Sequence, residues 1–146
     1  MSRNIILCEG STDKILIGHY LSHSAGWTAQ TIKAPPFTDQ SIRWFVQENN
    51  ILGIWQVNGT NFIPAIETIA KREMLEHLID KVLVITDHDD ESAETERPMK
   101  IYRALCSGLR VKPSEESITP SKWYPVRFCN YFGESDVNFC YVFRYE

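Results

Sequence analysis

"NIILCEG" (residues 4–10) and "VLVITDHD" (residues 82–89) decide how this chain reads. Each is an apolar run that stops at an acid. Ile5-Ile6-Leu7-Cys8 ends at Glu9-Gly10, and Val82-Leu83-Val84-Ile85-Thr86 ends at Asp87. Short apolar runs bounded by polar residues and glycine read as buried strands. Strands that are apolar throughout, rather than alternating, belong to a sheet covered on both faces.

The segments between them support that reading. Ser11 or Thr12 can cap a helix from Asp13 to about His23, with Leu16, Tyr20 and Leu21 on its inner side. Trp27 to Lys33 is strand-like after Gly26. Thr38 or Asp39 can cap a second helix, since Ile42, Phe45, Val46 and Asn49 fall at helical spacing. Ile51 to Val57 is a further strand, and a helix containing Pro64 runs from there to about Asp80. Pro98 to Ser107 reads as a helix stopped by Gly108, with Ile101, Ala104 and Leu105 facing inward. The aromatic stretch from Trp123 to Tyr145 predicts one or two strands around a turn at Gly133-Glu134-Ser135. The expected fold is α/β and Rossmann-like, a mainly parallel central sheet with helices on both faces and extra strands at the C-terminus. One domain is expected over residues 1–146, with a core of about 4–110 and an aromatic extension of about 111–146.

Bulk properties set limits. A chain of 146 residues with 43% hydrophobic content suffices for one real core. No apolar run approaches the roughly 18 residues that span a bilayer, and Arg3 followed by four apolar residues is too short for a secretory signal. The expected location is cytoplasmic, with no membrane partner. The net charge of −4 argues against a dedicated polyanion binder but not against an enzyme whose metal supplies positive charge locally. The four cysteines, Cys8, Cys106, Cys129 and Cys140, form no metal-binding spacing and read as reduced core residues.

The acids carry the chemistry. Asp87 and Asp89 are two apart at a strand end and point the same way. If the strand before Glu9 is the neighbour of the one before Asp87, at the usual spacing of about 4.8 Å, three carboxylates converge on one volume. Their mutual repulsion is relieved by a hard divalent cation, Mg²⁺ or Mn²⁺, with water and phosphate completing its coordination. Gly10 lets a phosphate approach the backbone, and the helix opening at Ser11 to Asp13 aims N–H groups at the same place.

Glu9-Gly10-x-x-Asp13 followed by Asp87-x-Asp89 resembles the Toprim domain, which is shared by topoisomerases, bacterial primases, recombination proteins, an RNA maturase and the OLD (overcoming lysogenization defect) nucleases. Gly59-Thr60-Asn61 is similar to a glycine–asparagine element of the OLD-like branch. The resemblance covers roughly residues 5–109. It implies a compact α/β fold and Mg²⁺-assisted phosphodiester chemistry, with DNA or RNA as substrate and most closely a nuclease. It also implies Glu9 as general acid/base, Asp87 and Asp89 as metal ligands, and Asp13 as a residue able to join a second metal site.

A non-catalytic Toprim module that binds protein or nucleic acid has the same motif, as does an RNA-processing or nucleotidyl-transfer enzyme. Expected partners are nucleic acid and an ATPase or helicase protein, or a second copy of the chain. Plainer readings stand beside several assignments. Asp13 is favourable in any first helical turn. Lys14 is either a phosphate contact or a solvated lysine. Gly59 suits a turn and Asn61 a helix cap, beside a role near the phosphate. The C-terminal aromatics are read as core or as a docking surface.

Overall fold

The computed structural model describes residues 2–39, 41–59, 61–87 and 91–144, and for residues 87, 91–95 and 144 the backbone alone. Seven strands and three helices follow in the order β1 (Arg3–Cys8), α1 (Ser11–His23), β2 (Thr28–Ala29), β3 (Ile42–Gln47), β4 (Asn50–Gln56), α2 (Ile63–Leu75), β5 (Lys81–Asp87), α3 (Glu91–Gly108), β6 (Tyr124–Asn130) and β7 (Gly133–Arg144). The strands form one sheet in the order β2-β3-β4-β1-β5-β7-β6.

The four central strands, β4, β1, β5 and β7, are parallel. The flanks are antiparallel: β2 on β3, β3 on β4, and β6 on β7. The protein is therefore α/β with helices on both faces, but its sheet is mixed rather than mainly parallel. Strand alternation distributes the core. Ile6, Cys8, Leu83 and Ile85 pack beneath α1 with Leu21, Phe45 and Ile54. Ile5, Leu7, Val82 and Val84 face α2 and α3, against Ile66, Ile69, Tyr102, Leu105 and Phe139.

Four local expectations fail for physical reasons. Residues 42–47 form strand β3, not a helix. Both faces of β3 are covered, Phe45 by the α1 layer and Ile42 and Trp44 by the other layer. Burial on both sides at once produces apolar spacing that imitates a helix. The chain then reverses at Glu48 (φ 54°) into β4.

α2 ends at Leu75 rather than near Asp80. The Glu73 carboxylate is fully buried. It accepts the backbone N–H groups of Leu78 (2.8 Å) and Ile79 (2.5 Å), which breaks the helical ladder and turns the chain toward β5. His77 lies between Glu73 (Nδ1 2.8 Å) and Asp80 (Nε2 3.1 Å). Asp80 in turn accepts the N–H of Arg3 at 2.8 Å, tying this network to the start of β1.

α3 begins at Glu91, well before Pro98, which lies inside it. The helix ends at Gly108, as the stop signal suggested. There a side chain would collide with Ala70 Cβ, so this glycine also sets the closeness of α3 to α2. Finally, the β6–β7 turn is Tyr131-Phe132, two residues earlier than Gly133-Glu134-Ser135. Asn130 Oδ1 accepts the Phe132 N–H at 2.8 Å and closes that turn from its own side chain.

Three smaller readings are also corrected. Gly10, not Ser11 or Thr12, is the N-cap of α1. Leu16 and Tyr20 are exposed, while Leu21 is buried. Cys129 is exposed, whereas Cys8, Cys106 and Cys140 are in the core.

Candidate active site

β1 and β5 are neighbours, paired from Asn4↔Lys81 to Cys8↔Ile85. Their ladder stops one residue short of Glu9 and two short of Asp87. The helices that follow them diverge, α1 to one face and α3 to the other. Adjacent parallel strands whose connections leave toward opposite faces open a crevice at their carboxyl ends, where α/β proteins bind ligands.

Glu9 continues the alternation of Ile5 and Leu7 and so belongs to the α2/α3 face. Its side chain is 12% exposed, and Oε1 lies 3.6 Å from Nη1 of Arg97 on α3. Two further polar residues on the same face complete the surroundings. Thr86, on β5, is buried, and its Oγ1 lies 2.9 Å from the hydroxyl of Tyr141 on β7. Arg97 acts on the Tyr141 phenol through its charge. Burial raises the Tyr141 phenol above its ordinary range, and the Thr86 hydrogen bond and the Arg97 charge work against that rise.

The loops around Glu9 are fixed by backbone hydrogen bonds. The Val57 N–H donates to the Cys8 carbonyl, and the Gly59 N–H donates to the Glu9 carbonyl, both at 2.9 Å. Gly59 has φ +116°, a conformation that L side chains rarely adopt. The glycine loop after β4 is thereby attached to the end of β1. On the other side the Gly10 N–H donates to Asp13 Oδ2 at 3.4 Å, and a Cβ on Gly10 would meet none of the described residues within 4 Å. The backbone beside Glu9 is thus open to a close-approaching ligand.

The sequence-predicted residues separate on this geometry. Glu9, Gly10, Asp13 and Gly59 come together at one edge, and the backbone of Asp87 ends β5 beside them. Asp89 lies outside the described residues. Asp13 is 7% exposed and serves the first turn of α1. Lys14 reaches away to the Ser41 carbonyl, 2.9 Å from Nζ. Asn61 Oδ1 accepts the Ile63 N–H at 3.3 Å just ahead of α2, but the N-cap of that helix is Phe62 and not Asn61. Cys8, below Glu9, is pushed up to about 12, first by burial and then by the charge of Asp13.

Arg97, Thr86 and Tyr141 were not singled out from the sequence. Arg97 is the first basic residue after the acidic run of 87–96, and Thr86 is the polar member of an otherwise apolar strand. Those two signals were readable. Tyr141 is one aromatic among many, and nothing in the sequence distinguishes it.

Among the described residues no group of three or more His, Cys, Asp or Glu side chains is placed to hold a metal ion. Among the described residues the Glu9 carboxylate supplies oxygen at this edge, the donor type that Mg²⁺ or Mn²⁺ takes.

Most of the C-terminal aromatics belong to the core: Tyr124, Phe128, Phe139, Tyr141 and Phe143 are buried, while Trp123, Tyr131 and Phe132 are exposed. Among the described residues no helix is long and apolar enough to cross a membrane.

No family model matches the chain, and no curated protein does. Among solved structures it is similar to a hypothetical protein of Pyrococcus horikoshii OT3, with a TM-score of 0.57 and 20% identity over 70% of this chain and 47% of that one. The chain thus spans about half the length of that neighbour, and the likeness concerns the fold alone. A weaker match is the EXO domain of Aedes aegypti Nibbler, with a TM-score of 0.20 and 9% identity over 75% of this chain and 48% of that one. It carries no argument.

Proposed function

We propose that the protein is a Toprim-like domain that performs divalent-metal-dependent phosphodiester chemistry on nucleic acid, as an OLD-like nuclease or part of one. The observation that carries this reading is the adjacency of β1 and β5 at the centre of the sheet. It brings Glu9 and the Asp87 terminus to neighbouring strand ends beside the open backbone of Gly10. In this reading Glu9, Asp87 and Asp89 hold Mg²⁺ or Mn²⁺, which polarises the phosphodiester when bound. Glu9 moves the proton to or from the reacting oxygen. Its low exposure and the adjoining Arg97 keep it oriented in the absence of substrate.

The test of the metal site is calorimetric titration of Mn²⁺ into the wild type and into the Asp87→Asn/Asp89→Asn double variant. Binding in the wild type that the double variant loses is expected. Equal affinity in the two proteins removes these aspartates from the site.

A second reading is a non-catalytic module that binds nucleic acid or protein. The specific observation in its favour is that Glu9 already faces a cation, Arg97. A folded wild type that binds DNA or RNA but cleaves neither single nor double strands, with Mg²⁺ or Mn²⁺, selects this reading. Activity is expected to depend on self-association or a second protein, because the net charge of −4 leaves little attraction for a polyanion. The exposed Trp123, Tyr131 and Phe132 are the residues offered for such contacts.

A further inference from the structure

We infer that Arg97 is the phosphate-binding cation of this site, held against Glu9 until a phosphate oxygen takes its place beside the guanidinium. The inference rests on the proposed phosphodiester site but assigns a binding role that the acidic motif does not supply.

A guanidinium offers five N–H donors in a rigid fork suited to the oxygens of phosphate. Arg97 uses that fork incompletely. The contact to Glu9 Oε1 is 3.6 Å, longer than a hydrogen bond. Nη1 is buried and, among the described residues, has no hydrogen-bond acceptor. A nearly buried cation with an unfilled donor is costly unless a further acceptor arrives. The side chain is still 22% exposed, so the group can be reached.

Position agrees with this role. Arg97 approaches from α3 on the same face as Glu9, Thr86 and Tyr141, at the carboxyl end of β1 and β5. Tyr141 is itself anchored by Thr86. Glu9 balances its charge while no ligand is present. When the Glu9 charge is neutralised, the fork becomes free to bind an anion. The ligand class is therefore the phosphate of a nucleotide or a nucleic-acid strand.

The experiment measures binding of a thymidine dinucleotide, with and without a 5′-phosphate, to the whole chain in EDTA. Circular dichroism and melting temperature report folding. Glu9→Gln is expected to tighten binding several-fold, since it frees Arg97 and removes a repelling charge. Arg97→Gln is expected to weaken it about tenfold or more, and Arg97→Lys by less. The Glu9→Gln/Arg97→Gln double variant should bind more weakly than Glu9→Gln alone. A stronger response for the 5′-phosphorylated dinucleotide places a terminal phosphate at Arg97, and an equal response places the bridging phosphodiester there. Folded Arg97→Gln with unchanged affinity overturns the assignment, whatever the cleavage activity. If Arg97→Gln does not fold, unchanged or weaker binding by folded Glu9→Gln overturns it instead. Wild type that cleaves nothing, yet shows the opposed responses, leaves Arg97 assigned and removes the nuclease reading.

Discussion

The hydroxyl groups of Thr86 and Tyr141 lie 2.9 Å apart, both in buried side chains, and link β5 to β7 beneath the candidate site. Buried hydroxyls without partners are costly, so this pair stabilises only as a pair. Thr86→Val and Tyr141→Phe are each expected to destabilise the protein by about 1–2 kcal/mol. The double variant should cost less than their sum, because the two orphaned groups leave together. Urea denaturation of the four proteins measures the coupling, and strict additivity would show that the hydroxyls do not interact.

Glu73 makes stability depend on pH. Its carboxyl is raised above the ordinary value of 4.5, first by burial, against the hydrogen bonds from Leu78, His77 and Ile79. A raised folded value means that the folded state holds the proton more tightly. Its contribution is full below about pH 4.5 and is lost as pH rises through the folded value. Relative to Glu73→Gln, whose amide stays neutral, the wild type should therefore lose stability as pH rises above 4.5. Denaturation curves for both proteins across that window check this. A difference that stays flat, or favours the wild type as pH rises, contradicts it.

The cysteines should separate cleanly by reactivity. Cys129 is exposed, while burial raises Cys8, Cys106 and Cys140, with Cys8 at about 12. Thiolate is the reactive form. Iodoacetamide at about pH 8 should modify Cys129 alone in the folded protein and all four cysteines after denaturation. Peptide mass spectrometry reads the sites, and early labelling of Cys8 would contradict the packing of β1 under α1.

Much of this arrangement was legible because particular residues declare themselves. The runs Ile5 to Cys8 and Val82 to Thr86 announced central strands, and their acidic ends marked the candidate edge. β3 was not legible, because Ile42, Trp44 and Phe45 are buried on two faces at once and mimic a helix. The early end of α2 was hidden for another reason. It depends on one carboxylate, Glu73, reaching forward to Leu78 and Ile79. No periodicity reports a side chain that competes with the backbone ladder. Within the site, strand-end acids follow from spacing, but Arg97 and Tyr141 arrive through tertiary packing of α3 and β7 on β5.

The most direct measurement of the central claim is cleavage of end-labelled DNA and RNA, single- and double-stranded, by wild type and Glu9→Gln in Mg²⁺ and in Mn²⁺. Metal-dependent cleavage by the wild type is expected, with a folded Glu9→Gln protein that still binds metal but turns over roughly 10²–10⁴-fold more slowly, the usual contribution of a positioned acid or base. Cleavage by Glu9→Gln at the wild-type rate would contradict the claim.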